Sequence, residues 1–263
     1  LKSFYHKGIN MSSFKNILIT GASSGIGEAL ALYYASRGAE NIFICGRNSQ
    51  RLKDVASACR KYQTKVHTKI LDVTNRTALC EWIKSCETQA PLNLVFANAG
   101  VSTGAETAEN IYNTFETNVM GVVNTVLPTI EIFQQNKERY HRTIAITSSI
   151  AGYHGLMPCP SYSASKACVK AWGEALRLAL KNDGINVSVI CPGFVRSRIT
   201  AQNTCPMPYF MEAAKAAEII ARGLENNVGL IAFPWQMRFA SWLGSILPNC
   251  ISEYIYGRLP YKV

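Results

Sequence analysis

The chain has 263 residues, 48% hydrophobic and 17% charged, a composition typical of a globular protein and not of a disordered one. Its formal net charge of +10 is spread along the whole chain without a run of five or more basic residues. A solvated basic surface is therefore favoured over a nucleic-acid interface, with an anionic cofactor or an acidic membrane surface as alternatives.

The cysteines and histidines argue against a metal site or a disulfide framework. The nine cysteines are scattered without C-x-x-C spacing, and the four histidines are far apart in sequence. This usage of cysteine favours a reducing cytoplasm.

The first residues lack the apolar segment of a secretory signal. Residues 1–14 are predicted to be a leader or a disordered N-terminus, with Met11 as a candidate natural start. No stretch reaches the roughly 18 uncharged apolar residues that would span a bilayer. The closest, residues 229–247, is interrupted by Pro234, Gln236 and Arg238.

Apolar, β-rich runs alternate with helical periodicity along the chain. The predicted strands are residues 16–20, 41–45, 66–71, 92–97, 143–147, 186–191 and 229–233. The predicted helices are residues 28–37, 50–62, 76–87, 111–135, 161–181 and 211–225. The strands are almost continuously hydrophobic, which indicates that both faces are covered. This order predicts an α/β fold, a Rossmann-type doubly wound parallel sheet of about seven strands with helices on both faces, in a single domain over residues 15–263.

The stretch TGASSGIG, residues 20–27, separates the first strand from the first helix and fits two motifs. Its G-x-S-x-G pattern around Ser23 matches the nucleophile elbow of serine hydrolases. At most twenty-odd residues precede Ser23, too few for the strands and the oxyanion loop of that fold, and Asp72 with His154 makes an unconvincing acid–histidine pair. The hydrolase is therefore the disfavoured interpretation.

A phosphate-binding loop explains the same residues better, because this loop belongs after the first strand. Gly21 permits a tight turn, Gly25 lets the backbone approach a pyrophosphate, and Gly27 lets the helix pack on the strand. The hydroxyls of Ser23 and Ser24 can donate to phosphate oxygens. The G-x-x-x-G-x-G spacing differs from the commoner G-x-G-x-x-G, so a glycine-rich turn without a ligand stays an alternative.

The end of the second predicted strand indicates which dinucleotide the loop binds. NAD-binding proteins place a carboxylate there for the ribose 2′-hydroxyl. Here the strand ends in Cys45-Gly46-Arg47-Asn48, without a carboxylate. Gly46 leaves room and Arg47 supplies a cation, an arrangement suited to the 2′-phosphate of NADP.

The chain contains one Y-x-x-x-K sequence, at Tyr162 and Lys166. On a helix, residues i and i+4 share a face, so the ammonium and the phenol can approach each other. A nearby cation favours the phenolate, and we expect Lys166 to lower the pKa of Tyr162 toward useful acid–base chemistry. A surface pair without a function is the alternative interpretation.

Together these motifs resemble those of the short-chain dehydrogenases/reductases in their common single-domain form, from about residue 15 to residue 197. Two single residues also match the family: Asn118, and Ser149, which lies thirteen residues before Tyr162. Three short motifs match as well: Asp72-Val73, Asn98-Ala99-Gly100 and Pro192-Gly193. One departure is Ala97, where a second asparagine is common in the family. The resemblance implies the catalytic residues Ser149, Tyr162, Lys166 and Asn118. The expected cofactor contacts are Gly21, Ser23, Ser24, Gly25, Ile26, Gly27, Arg47, Asp72, Val73, Asn98, Ala99, Gly100, Tyr162, Lys166, Pro192, Gly193, Val195 and Ser197.

The resemblance also implies the chemistry. Hydride passes between nicotinamide and a carbonyl or carbinol carbon while Tyr162 gives or takes the proton. Ser149 hydrogen-bonds the substrate oxygen, Lys166 holds the nicotinamide ribose, and Asn118 positions a water behind the lysine. Ser148 is an alternative reacting serine, and Asn118 has a purely structural alternative role. The expected enzyme prefers NADP(H), with an NAD-dependent enzyme or a catalytically silent nucleotide-sensing protein as rivals.

The resemblance further implies a homodimer or homotetramer, formed through the helices that contain Asn118 and Tyr162. We expect a flap near residues 194–212 over the cleft. Six side chains are predicted to line an apolar pocket for a hydrophobic ketone or alcohol, or else to be ordinary packing: Tyr153, Leu156, Met157, Met207, Tyr209 and Phe210.

The tail, residues 234–263, matches no motif of the family. After Pro234 a helical stripe is predicted at Trp235, Phe239, Trp242, Leu243, Ile246 and Leu247. Docking of this stripe on the protein's own body or on a partner subunit is the simpler expectation. Attachment to a membrane surface is the alternative, because Arg238, Arg258 and Lys262 flank the aromatic residues. The predicted location is cytoplasmic, with membrane association as that alternative.

Overall fold

The computed structural model describes residues 12–102, 104–135, 142–202 and 206–256, so most of the predicted leader lies outside it. Its parallel sheet has the strand order β3-β2-β1-β4-β5-β6-β7. The strands are β1 (Asn16–Thr20), β2 (Asn41–Gly46), β3 (Lys65–Ile70), β4 (Leu94–Ala97), β5 (Arg142–Thr147), β6 (Ile185–Pro192) and β7 (Leu230–Phe233). The predicted doubly wound parallel sheet is confirmed.

Helices connect the strands and cover both faces of the sheet. They are α1 (Gly25–Ser36), α2 (Ser49–Arg60), α3 (Arg76–Gln89), α4 (Ala108–Phe115), α5 (Gly121–Gln135), α6 (Pro160–Ala179), α7 (Ala213–Glu225), α8 (Trp235–Ile246) and α9 (Asn249–Tyr256). Alternate residues of β1 enter different cores: Ile17 and Ile19 pack with Leu30 of α1, whereas Leu18 packs with Leu79 of α3. The strand order reverses beside β1, so a crevice opens at the carboxyl ends of β1 and β4.

Two expectations about these elements need correction. The coverage expected on both faces of each strand is wrong for β3, where Lys65 and Lys69 are exposed and Ile70 is 61% exposed, because β3 is the edge strand. The single helix predicted over residues 111–135 is divided into α4 and α5 by a π-helical turn, Glu116–Met120. Such turns frequently mark functional sites.

The stripe predicted after Pro234 is helical but does not dock on the body of the protein. Its five larger exposed side chains are Trp235, Phe239, Trp242, Leu243 and Ile246. Leu247 is half-buried, and Arg258 and Lys262 lie outside the described residues. The expectation of docking on the protein's own body is therefore wrong for most of the stripe. Among the residues that the structure describes, no helix combines the length and apolar composition needed to cross a membrane.

Candidate active site

The glycine-rich loop has the backbone that its sequence predicts. Gly21 and Gly25 have φ angles of 68° and 61°, the left-handed region that favours glycine. A Cβ on Gly21 would lie 2.7 Å from the Cα of Ala99, and one on Gly27 would lie 2.5 Å from the carbonyl oxygen of Gly21. The side chain of Ser24, the residue just before α1, makes no capping hydrogen bond. The N–H groups at this helix end can therefore bind an anion.

Thr20, which the sequence analysis passed over as the last residue of a strand, ties the loop to β4. Its Oγ1 donates to the carbonyl oxygen of Phe96 at 3.1 Å and accepts from the backbone N–H groups of Asn98 and Ala99 at 3.0 and 3.2 Å. Asn98 returns a hydrogen bond from Nδ2 to the carbonyl oxygen of Thr20 at 3.1 Å. These bonds fix the two strand ends that border the crevice.

Two arginines border the far end of the crevice. Arg47 Nη1 lies 3.5 Å from Asp72 Oδ2, and its side chain is 61% exposed, so this ion pair is weak. Arg51, which the sequence analysis missed, lines the same cavity. Its buried Nε has no hydrogen-bond partner among the described residues. A Cβ on Gly46 would lie 3.3 Å from the Oγ of Ser23, so this corner has little room for a side chain.

The Asp72-Val73 pair is fixed to α5. The carbonyl oxygen of Val73 accepts from Asn124 Nδ2 at 3.0 Å, and a Cβ on Gly121 would lie 2.5 Å from Val73 Cγ2. Asp72 Oδ1 accepts from the N–H and the hydroxyl of Thr74 at 3.0 and 2.9 Å. These contacts hold Asp72 and Val73 in place at the wall of the crevice.

At the other end of the cavity, β5 and α6 bring together the serine, the tyrosine and the lysine of the sequence motifs. Ser149 is hydrogen-bonded to Tyr162 and lies 3.4 Å, Oγ to O, from the carbonyl of Pro192. Ser148 is only 2% exposed, and its Oγ donates to the carbonyl oxygen of Lys166 at 2.7 Å. Of the two serines, Ser149 has the geometry to reach a substrate, and Ser148 anchors α6.

Burial dominates the titration of this pair. Burial raises the pKa of Tyr162 to about 12, although its hydrogen bond with Ser149 acts in the opposite direction. Burial lowers the pKa of Lys166 to about 8. Lys166 Nζ lies 5.8 Å from the ring centroid of Tyr162 and donates to the carbonyl oxygen of Thr147 at 3.0 Å. The expectation that Lys166 lowers the pKa of Tyr162 is therefore wrong for this arrangement.

Asn118 is fully buried in the π-helical turn. Its Oδ1 accepts from the backbone N–H of Val101 at 2.7 Å, and its Nδ2 donates to the carbonyl oxygen of Val101 at 2.9 Å and to Ser165 Oγ at 3.1 Å. A Cβ on Gly100 would lie 3.2 Å from both Asn118 Oδ1 and Lys166 Nζ. The side chain thus braces the loop after β4 against α6, and its expected role in positioning a water stays a prediction.

The segment after β6 crosses the glycine-rich loop. The backbone N–H of Gly193 donates to the carbonyl oxygen of Phe233 at 2.8 Å. Val195 forms an isolated parallel bridge with Met211, which joins the two ends of the expected flap. A Cβ on Gly25 would lie 3.0 Å from Ser197 Cβ. Within the flap, residues 203–205 lie outside the described residues.

These elements enclose a cavity of about 590 Å³ at the carboxyl edge of the sheet. The predicted cofactor and catalytic residues line it, except Gly27 and Asn118, which are buried behind its wall. No histidine lines it among the described residues, so the hydrolase pair of Asp72 and His154 is not assembled around Ser23. No described cluster of three or more histidine, cysteine or acidic residues is able to hold a metal ion.

The predicted substrate pocket is wrong in its residues. None of the following lines the cavity: Tyr153, Leu156, Met157, Met207, Tyr209 and Phe210. Tyr209 and Phe210 are 55% and 40% exposed, and Tyr153 lines a separate cleft beside α8. The loop after β4, which the sequence analysis did not consider, contributes Val101, Ser102 and Gly104 to the cavity instead.

The sequence matches the short chain dehydrogenase family over residues 15–206. The chain belongs to this family. Short-chain dehydrogenases are oxidoreductases that bind NAD(P), so the recognition of the family from the sequence motifs is confirmed. This short-chain dehydrogenase is 36% identical over 252 residues to an uncharacterized oxidoreductase of Myxococcus xanthus. The aligned region covers 94% of this chain and 98% of that protein.

Solved structures share the fold at lower identity. A short-chain dehydrogenase from Sphingobium yanoikuyae in complex with NADPH is 24% identical, with a TM-score of 0.77 over 89% of this chain and 97% of that one. A short chain dehydrogenase from Mycobacterium paratuberculosis bound to NAD is 20% identical, with a TM-score of 0.73 over 84% of this chain and 96% of that one. The two neighbours carry different dinucleotides.

Proposed function

We propose that this short-chain dehydrogenase prefers NADP(H) and interconverts a carbonyl with a secondary alcohol. The observation that carries the proposal is the meeting of Ser149, Tyr162 and Lys166 at one end of a cavity whose other end is a glycine-rich loop. The left-handed φ angles of Gly21 and Gly25 and the uncapped start of α1 fit the pyrophosphate of a dinucleotide.

A bound nicotinamide would supply or accept the hydride. Tyr162 is protonated at neutral pH, because its pKa is raised to about 12, and it would give this proton to the carbonyl oxygen that becomes a hydroxyl. Ser149 would donate to the same oxygen and orient it. Lys166 would hold the nicotinamide ribose. Asn118 fixes the loop after β4 beside the lysine, and the hydroxyl of Ser148 donates to the lysine's carbonyl oxygen. In the oxidative direction Tyr162 first has to lose its own proton, and its phenolate then takes the proton of the alcohol.

The preference for NADP(H) rests on two cations and a missing carboxylate. Arg47 and Arg51 border the cavity where β2 ends, and Gly46 occupies the corner beside Ser23. Among the described residues that line the cavity, Asp72 is the one carboxylate, and Arg47 Nη1 lies 3.5 Å from it. A 2′-phosphate would be attracted by this pair of guanidinium groups.

An oligomer built on α4, α5 and α6 is part of the proposal. These helices, and the π-helical turn between α4 and α5, expose large apolar side chains that the single chain leaves in water: Tyr112, Met120, Leu127 and Leu178.

The test is a screen of NADPH and NADH oxidation across ketones of graded length and polarity. We expect turnover with NADPH for at least one hydrophobic ketone and a lower kcat/KM with NADH. Equal kcat/KM values for the two dinucleotides would favour the NAD-dependent alternative. Binding of NADPH without turnover on the whole panel would favour the silent nucleotide-sensing alternative.

A further inference from the structure

Helix α8 presents one continuous apolar face to solvent. Its exposed side chains follow the spacing i, i+4, i+7, i+8 and i+11, which places them on one stripe. They are Trp235 (71% exposed), Phe239 (56%), Trp242 (49%), Leu243 (41%) and Ile246 (58%). Isolated exposed apolar residues are normal on soluble proteins, but a contiguous aromatic patch marks a binding surface.

The opposite face of α8 is already packed on the protein. A Cβ on Gly193 would lie 2.8 Å from Met237 Sδ, and Gly244 is buried. The helix also contacts β7 and the 3₁₀ turn Ile150–Tyr153. Because the opposite face of α8 packs on the protein, the aromatic stripe is exposed to a binding partner from outside the described chain.

The charges beside the stripe select an anionic occupant. A cleft of about 520 Å³ runs between α8 and α6, and among the described residues no carboxylate lines it. Arg238 and Lys170 are its two cations, although Lys170 Nζ also lies 2.9 Å from Glu174 Oε1. Helix α8 contains no acidic residue. The hydroxyl of Tyr153, which lines the cleft, has no hydrogen-bond partner among the described residues.

We propose that α8 lies on the surface of an anionic phospholipid membrane, with its aromatic stripe among the acyl chains and Arg238 against lipid phosphates. Trp235 and Trp242 are the residue type that concentrates at membrane–water interfaces. The helix has 12 residues and is about 18 Å long, so it lies in the plane of the surface and does not cross a hydrocarbon core of about 30 Å. A second copy of the chain fits less well, because two such faces would bring their cations together.

The test uses the full chain and vesicles of phosphatidylcholine alone or with 30% phosphatidylserine. Of the four tryptophans, Trp235 and Trp242 are the exposed ones, whereas Trp82 is buried and Trp172 is half-buried. Tryptophan emission therefore reports on this face. We expect a blue shift and reduced acrylamide quenching on the anionic vesicles, reversed by high salt.

Two variants identify the surface while keeping both reporting tryptophans. Phe239→Ser combined with Ile246→Ser is expected to weaken vesicle partitioning by about tenfold or more, since two buried apolar side chains are lost. Arg238→Gln is expected to weaken it by about fivefold. The matched controls are Tyr62→Ser and Lys61→Gln, an exposed tyrosine and a lysine after α2, and we expect them to partition like the wild type.

The proposal is overturned if the wild type does not bind the anionic vesicles or if the α8 variants and the controls partition equally. It is also overturned if sedimentation without lipid shows a dimer that only the α8 variants dissociate, because the occupant is then a second copy. NADPH oxidation of a water-soluble ketone is measured on every variant. This activity stays unchanged if only the membrane surface is lost, so failure of this inference is distinguishable from failure of the proposed function.

Discussion

Arg51 adds to the proposed NADP(H) preference a cation that the sequence motifs do not contain. It lies in the first turn of α2, where Asn48 Oδ1 accepts from its backbone N–H at 2.9 Å. This cap fixes the start of the helix and therefore the backbone position from which the Arg51 side chain extends. The Nε of Arg51 is buried beside the cavity. Arg47 is more exposed and is paired with Asp72, so the two arginines are not equivalent.

We expect Arg47→Ala and Arg51→Ala each to weaken NADPH binding by about tenfold or more, because a charge-assisted hydrogen bond contributes about 1.5–3 kcal/mol. NADH, which lacks the 2′-phosphate, is expected to bind each variant within about twofold of the wild type. Isothermal titration of both dinucleotides measures the effect. Lys53→Ala removes an exposed cation of α2 outside the cavity and serves as the control. Unchanged NADPH affinity in both arginine variants would refute the assignment.

At the scale of elements, the position of Tyr162 depends on how α6 begins. The helix starts at Pro160, and the carboxylate of Glu106 accepts from the backbone N–H of Ser161 at 3.1 and 3.3 Å and from its hydroxyl at 2.8 Å. A carboxylate at a helix N-terminus is favourable for both the hydrogen bonds and the helix dipole. Glu106 belongs to the loop after β4, so it joins the cavity wall to the helix that carries Tyr162.

We expect Glu106→Ala to lower kcat by about three- to tenfold, because the first turn of α6 loses an acceptor next to Tyr162. NADPH affinity and KM are expected to change little, and Glu106→Gln is expected to restore most of kcat. Steady-state kinetics and NADPH titration separate these effects. Glu109→Ala, on the exposed side of α4, is the control. A parallel loss of NADPH affinity, or no recovery in Glu106→Gln, would mean that Glu106 has only a general structural role.

At the scale of the whole molecule, the sequence was sufficient for the sheet because each buried strand is an apolar run and the motifs follow one another in chain order. It was insufficient wherever an answer depends on burial or loop path. β3, with the sequence KVHTKI, was grouped with the apolar strands, although its lysines fit the edge position that leaves Ile70 exposed. The helical period after Pro234 predicts a stripe but not the direction in which it faces.

The same distinction holds for the candidate site: features set by local spacing were predicted, and features set by burial or by the path of a loop were not. Local spacing located Ser149, Tyr162 and Lys166, since the loop after β5 and one turn of α6 determine their separation. The expected direction of the Tyr162 pKa shift was wrong, because the Y-x-x-x-K spacing does not show the burial that raises this pKa. The apolar residues assigned to a substrate pocket, such as Tyr209 and Phe210, were wrong because they depend on the course of an irregular segment.

The most direct test of the account is the turnover of Tyr162→Phe, measured with NADPH and the best ketone of the panel. Phenylalanine keeps the ring and removes only the proton-bearing hydroxyl, so NADPH is expected to bind within about twofold of the wild type. Loss of a positioned general acid is expected to lower kcat by about 10²–10⁴-fold. A Tyr162→Phe enzyme that binds NADPH normally and keeps the wild-type kcat would contradict the account.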